Sequence, residues 1–201
     1  MTDGAPSPAR PFRQGVGLVI FNSDGKVLIA ARSDKASLGD RPDKRGAWQF
    51  PQGGMKKDGS ESPEQAAMRE ALEEIGTDKL VIIDKIPYQL AYLFPDYLMS
   101  SDQVFNNKYC GQQQWWLAAY FYGDDADIRL ENEYNDEHAE FSQWRWATLE
   151  EAVALVVDFK KEVYTQVAHY FAPWVGKIAS GAFKPDDIPA TPTKAPSPMQ
   201  G

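Results

Sequence analysis

The chain has 201 residues, 43% of them hydrophobic and 25% charged, with a formal net charge of −8; this fits one folded domain with tails and excludes a collagenous or wholly disordered protein. The acidic balance argues against a uniformly basic nucleic-acid surface or a polybasic membrane anchor. A single cysteine, Cys110, excludes an internal disulfide framework and CxxC chemistry, residues 1–11 lack a leader's apolar stretch, and no run approaches the ~20 apolar residues of a membrane span, so a cytoplasmic protein is expected.

In chain order, residues 1–9 (MTDGAPSPA) read as a disordered tail, and the domain is expected over residues 10–179. Residues 15–21 (GVGLVIF) and 26–32 (KVLIAAR), separated by the turn signal Asn22-Ser23-Asp24-Gly25, read as two strands of a hairpin or meander. Residues 33–46 are polar and form a surface loop. A short strand over 48–51 (WQFP) is ended by Pro51 and the Gly53-Gly54 pair. A helix follows: Ser62 as N-cap, Pro63 in the first turn and Gln65 completing a capping box, with Gly76 as a left-handed stop. On a helical wheel Met68, Ala71, Leu72 and Ile75 fall within one arc, and Glu70, Glu73 and Glu74 opposite it. Further strands are expected over 80–92, 114–122 and 143–147, a second capped helix from Thr148 with Glu151, and a third over 159–171, with a break near Asp158 and Phe159. The tail from 180 to 201 is Pro-rich. Strands interrupted by helices indicate an α/β layered domain.

The charge is segregated. Residues 10–57 carry a net +6, residues 61–74 a net −4, and residues 124–140 a net −7. Glu70, Glu73 and Glu74 stand at i, i+3 and i+4, so their carboxylates converge and repel. A plain solvated acidic face is one reading. The other is a hard-cation site, because Mg²⁺ takes oxygen ligands and shares them with substrate phosphates, and the preceding Gly53-Gly54 pair lets backbone approach an ion or phosphate closely. His138 and His169 come with no triad or zinc signature.

The string from Gly53 through Glu61, Arg69-Glu70, Glu73-Glu74 and Gly76 resembles the Nudix box, G-x5-E-x7-R-E-U-x-E-E-x-G-U, with U aliphatic. The part from Glu61 to Gly76 matches in full, while seven residues instead of five separate Gly53 from Glu61, and Ala71 and Thr77 hold the aliphatic places. Gln52 within Phe50-Pro51-Gln52-Gly53-Gly54, Gln114 within Gly111-Gln112-Gln113-Gln114, Glu140-Phe141, Trp144-Arg145-Trp146, and the run from Phe159-Lys160 through Val163-Tyr164 to Phe171 resemble, in the same order, bacterial RNA pyrophosphohydrolases and plant-type dinucleoside tetraphosphate hydrolases. The resemblance covers about residues 13–171.

It implies an α/β/α sandwich with a mixed β-sheet. It implies Mg²⁺, with Mn²⁺ as a substitute, held by Glu70, Glu73 and Glu74, with the Gly53 carbonyl adding a ligand. Either Glu73 or Glu74 then serves as general base, and Glu140 is a further ligand or the alternative base; an ordinary surface glutamate is the plain reading of Glu140. Arg69 would orient Glu61 or Glu73, which overlaps with an ordinary i, i+4 ion pair. Arg13, Arg32, Gln52 and Gln114 are implied substrate contacts, and Phe171 either stacks on a base or packs in the core. The implied substrate is 5′-triphosphorylated RNA or a dinucleoside polyphosphate, with no DNA or membrane partner and any protein activator unidentified. A third reading is a nucleotide-binding regulator without catalysis, which the intact set of box carboxylates disfavours.

Overall fold

The computed structural model describes residues 10–33, 47–96, 108–134 and 139–183. Residues 1–9, nearly all of the 33–46 loop, His138 with its neighbours 135–137, and the Pro-rich stretch from 184 lie outside them.

Among the described residues eight strands make one mixed sheet: β1 (Phe12–Phe21), β2 (Val27–Arg32), β3 (Trp48–Gln49), β4 (Gln52–Gly54), β5 (Leu80–Lys85), β6 (Leu90–Leu93), β7 (Gly111–Phe121) and β8 (Phe141–Ala147). The main order is β3-β2-β1-β7-β5, with β4 against β1, β6 against β7 and β8 against β2. Among the described residues only the central pair β1 and β7 is parallel, in unbroken register from Phe12 beside Gly111 to Phe21 beside Tyr120, and the other described pairings are antiparallel.

A sheet covered on both faces needs strands that are apolar at every position, and β1 meets that need from Gly15 to Phe21. Val19 and Phe21 enter one core with α2 (Leu149–Leu155) and α3 (Lys161–Ala179), while Val16, Leu18 and Ile20 enter a second core with α1 (Pro63–Ile75). The result is the α/β/α sandwich expected.

Local signals set the helix ends. Ser62 and Gln65, and Thr148 and Glu151, form complete capping boxes, and Gly76 takes φ +67 beyond α1. Several boundaries differ from expectation. Gln52–Gly54 is itself a strand, because after Pro51 the chain turns to pair with Gly15–Gly17 of β1. The 80–92 segment splits at Ile86 and Pro87, a proline that has no ladder donor. A 3₁₀ turn at Asp158–Lys160 leads into α3, which passes Phe171 and even Pro173. The extra turns are held by Trp174 Nε1 donating to Asp84 Oδ2 (2.8 Å) and by buried Ile178. Packing continues to Phe183, whose ring meets Tyr120 and Trp174.

The wheel reading of α1 also changes. The face against the sheet is Ala66, Ala67, Ala71 and Ile75, small residues that bring the helix close, whereas Met68 and Leu72 are only half-buried. Glu74 therefore does not lie opposite the packed face but within it, at 4% exposure.

Candidate active site

The site forms where β4 and the second core meet α1. Arg69 is its hub. Its guanidinium donates to both Glu61 oxygens (3.1 and 2.9 Å), to Glu70 Oε1 (2.9 Å), to Glu73 Oε2 (2.9 Å) and to the Gly54 carbonyl (2.8 Å). This joins the two sequence readings of Arg69, since the i, i+4 pair with Glu73 is one spoke of a larger clamp. Glu61 also accepts from the Lys56 amide at 2.7 Å. Burial raises the Glu61 carboxyl, yet these donors outweigh it and leave the pKa below the usual range.

The glycine pair has a steric reason. A side chain at Gly53 would overlap the Glu70 carboxylate, and one at Gly54 would meet the end of the Arg13 guanidinium at 2.6 Å. β4 is thus sandwiched between β1 and the acidic side of α1, so both glycine backbones lie against charged groups.

Glu74 is in a different environment. Its Oε2 accepts from the Gln52 amide at 3.0 Å, and its Oε1 is buried with no partner. Burial, then the charges of Glu140 and Glu70, pushes its pKa well above the carboxylate range. Burial first, and then Glu73 and Glu140 against the opposing pull of Arg69, also raises Glu70. Glu140 arrives from just before β8. Its Oε1 accepts from Arg32 at 2.6 Å, and the neighbouring backbone is tied by Ser33 N–H to the Glu140 carbonyl (2.8 Å). The register of β2 on β8 shifts between Ala31 and Arg32, a bulge that re-aims the arginine.

Under this corner runs a chain of amides that the sequence does not announce. Lys160, 8% exposed, donates to Gln49 Oε1 (3.2 Å); Gln52 Nε2 donates to the same oxygen (2.9 Å); Gln114 Nε2 donates to Gln52 Oε1 (3.1 Å). Burial, followed by the Arg32 charge, pulls the Lys160 pKa down to about 7 against the opposing effect of Glu140 and Glu74. A lysine at a helix start is solvated by default, so its sequence gives no signal of burial.

Two expected substrate contacts are corrected. Phe171 is fully buried among the residues of the first core and packs edge-on to Tyr170, so its face is closed to a base. Gln114 is also fully buried and reaches Gln52 and the Val16 carbonyl; it supports Gln52 from beneath and has no surface to offer a ligand. Arg13, Arg32 and Gln52 remain at the rim, none of them buried. Arg13 also lines a cleft of about 870 Å³ that opens beside Glu70 and Glu73.

Among the described residues, no three His, Cys, Asp or Glu side chains stand in ready-made metal-ligating geometry. Arg69 holds Glu70 and Glu73, and Arg32 holds Glu140. The chemistry of the donor set still fits a hard divalent cation: the groups are all carboxylate oxygens, burial and then neighbouring acids raise the proton affinity of Glu70 and Glu74, and one buried Glu74 oxygen has no donor.

The comparisons agree with this architecture. The NUDIX domain profile matches residues 11–167. The chain is 42% identical over 164 residues to an RNA pyrophosphohydrolase of Acidiphilium cryptum (82% of this chain, 92% of the relative). It is 40% identical over 172 residues to that of Gluconacetobacter diazotrophicus (86% and 96%) and 40% over 161 residues to that of Bartonella bacilliformis (80% and 92%). The solved structure of the E. coli dihydroneopterin triphosphate pyrophosphohydrolase shares the fold, with a TM-score of 0.52 at 18% identity, covering 80% of this chain and 99% of that one. The box on α1, the sandwich that presents it and a profile spanning most of the sequence lead to one conclusion: the chain belongs to the Nudix family.

Proposed function

We propose that the protein is a Mg²⁺-dependent hydrolase that removes pyrophosphate from the 5′-triphosphate end of RNA and leaves a 5′-monophosphate. The observation that carries this reading is the similarity, over at least four-fifths of the chain, to relatives named RNA pyrophosphohydrolase. The carboxylate cluster supplies matching chemistry. The family's substrates are anhydrides of phosphate, and oxygen ligands with basic rim residues suffice to act on them.

Glu70, Glu73 and Glu74 would hold the cation, with Glu140 and the Gly53 carbonyl completing the set; Mn²⁺ would serve in place of Mg²⁺. When bound, the cation offsets polyphosphate charge and acidifies a coordinated water. Arg69 sets the rotamers of Glu70 and Glu73 and holds Glu61 as a brace for the loop, so it is a positioning residue. Gln52 fixes Glu74 through its amide and is itself fixed by Gln49 and Gln114. Arg13 and Arg32, one on each side of the acids, would neutralise phosphate oxygens. Proton removal from water falls to Glu73 or Glu74, with Glu140 as the alternative. A Glu140→Gln variant separates the roles: lost rate with retained metal binding identifies a base, and weakened metal binding identifies a ligand. None of the described helices is long and apolar enough to cross a membrane; we place the enzyme in the cytoplasm.

The test offers 5′-triphosphorylated RNA and diadenosine tetraphosphate separately, with Mg²⁺, and follows pyrophosphate, ATP and 5′-monophosphate ends. Pyrophosphate release from RNA at the higher kcat/KM is expected. Preference for the dinucleotide would move the enzyme to dinucleoside polyphosphates, and turnover of neither would overturn the reading.

A further inference from the structure

The segment between β7 and β8 carries an acidic excess that the cation site leaves unexplained, and its first half is built onto the end of α1. Asp125 accepts from Trp146 Nε1 (2.9 Å) and Asp127 from Lys79 Nζ (2.8 Å), which ties the 3₁₀ turn Asp125–Asp127 to β8 and to the chain just past α1. Ile128 then enters the second core. From there the chain lies across the C-terminal end of α1. The Arg129 amide donates to the Ile75 carbonyl (2.8 Å), and Asn132 Nδ2 donates to the Glu73 carbonyl (3.3 Å) and the Arg129 carbonyl (2.9 Å). Asn132 Oδ1 accepts from the Tyr134 amide (2.9 Å), so both ends of the side-chain amide are committed to this geometry. The approach is so close that a Cβ at Gly76 would meet the Arg129 carbonyl at 2.6 Å and the Asn132 Cβ at 3.2 Å.

A helix ends with four carbonyls that its own amides do not reach, and that end repels negative charge. In α1 the last turn holds Glu73 and Glu74 and no basic residue. The N-terminal end is closed locally, by the Ser62 and Gln65 box. At the C-terminal end the neighbouring chain supplies the Gly76 amide to the Leu72 carbonyl. Two of the other carbonyls receive their donors from the β7–β8 segment, 59 residues away in the case of Asn132. Glu73 is thereby held at both ends, its carboxylate by Arg69 (2.9 Å) and its carbonyl by Asn132. Helix ends fray, and fraying here would displace the Glu73 and Glu74 carboxylates together.

We propose that Asn132 is a positioning residue for the cation site: its hold on the Glu73 carbonyl keeps the last turn of α1 wound, and so keeps the Glu73 and Glu74 carboxylates in place for a divalent ion. The inference rests on the assignment of those two glutamates to the cation and deepens it. It gives the β7–β8 segment a mechanical task at the site in addition to carrying Glu140. Asparagine suits that task, because it brings a neutral donor to a helix end where one more acid would repel.

The experiment compares the full-length wild type with Asn132→Leu, which keeps the size of the side chain and removes the donor, and with Asn132→Asp, which removes the donor and adds a negative charge. In the metal-free protein, hydrogen exchange at the amides of residues 73–76 should quicken about fivefold in Asn132→Leu, the weight of one hydrogen bond, while exchange in β1 and β7 stays within about twofold. Calorimetric titration with Mn²⁺ alone should give a Kd about fivefold higher. Asn132→Asp should also bind Mn²⁺ more weakly than the wild type, against the attraction of its added charge. Faster exchange throughout the sheet would make Asn132 a residue of the fold alone and overturn the proposal. So would weaker Mn²⁺ binding without faster exchange in the last turn, faster exchange without weaker binding, or tighter binding by Asn132→Asp. Failure of the wild type to bind Mn²⁺ would overturn the cation site as well, whereas wild-type binding that Asn132→Leu leaves unchanged overturns this inference alone.

Discussion

The carboxylates of the box, Glu61 in the loop and Glu70, Glu73 and Glu74 on α1, divide into two groups with opposite electrostatic solutions. Around Arg69, the acids Glu61, Glu70 and Glu73 share one guanidinium, and the clamp is closed within the chain. One residue further on, Glu74 is buried with an oxygen that has no donor, facing two other acids. Glu70 belongs to both groups. A helix that balances three acids with one arginine and leaves a fourth unbalanced has separated the task of holding geometry from the task of attracting a cation. Net charge conceals this division, because both groups are equally acidic on paper.

The largest effect that would break the comparison is on rate. Glu74→Gln should lower turnover by about 10³-fold, yet the metal-free variant should be more stable than the wild type. The sign follows from linkage. A carboxyl whose folded pKa is raised binds more protons folded than unfolded, so its contribution falls as pH rises above the ordinary value near 4.5, and urea melts should show the variant's advantage growing over that window. Stability lower than wild type across that range would mean that Glu74 is satisfied by a partner.

Arg69→Met should act in the opposite direction, costing about 2–4 kcal/mol in chemical denaturation, because it leaves Glu61, whose side chain is 7% exposed, without its cation. Arg69→Lys keeps the charge but cannot make the same fork, and should recover less than half of that loss. Saturating Mg²⁺, at about a hundred times its Kd, should stabilise the wild type by about 2.7 kcal/mol in thermal melts and the Glu74→Gln variant by much less. The smallest effect at neutral pH concerns Lys160. Its folded pKa near 7 lies below the ordinary 10.5, so the unfolded state binds more protons between these values and wild-type stability should gain on Lys160→Met by up to about 1.4 kcal/mol per pH unit above 7. A pH-independent difference between the two would mean that the ammonium is solvated.

Much of this is legible in local signals. Both capping boxes, the Gly76 stop, the apolar runs of β1 and β2 and the box itself depend on neighbours within a few residues, and the structure forms them where the sequence marks them. Features set by distant partners are not legible in the same way. The wheel gives angles between side chains but not which arc meets the sheet; the alanines of α1 decide that, and with them the burial of Glu74. Whether Phe171 and Gln114 reach solvent depends on the layers above them, and a polar glutamine in a strand carries no sign that it will lie beneath another. Lys160 belongs to a family pattern that gives it no task, because its burial arises from its approach to Gln49 and Tyr92, both far from it along the chain.

The parallel pairing of β1 with β7 also has a kinetic consequence. Gln14 and Gln113, partners across it, are 99 residues apart, and the pairing is the centre of the sheet. Closing so long a loop costs chain entropy before any packing offsets it, which slows folding. During synthesis β1 and β2 would leave the ribosome with both apolar faces open and wait for β7 to emerge before either core could close. A fragment ending before β7 should therefore remain uncollapsed and prone to aggregate.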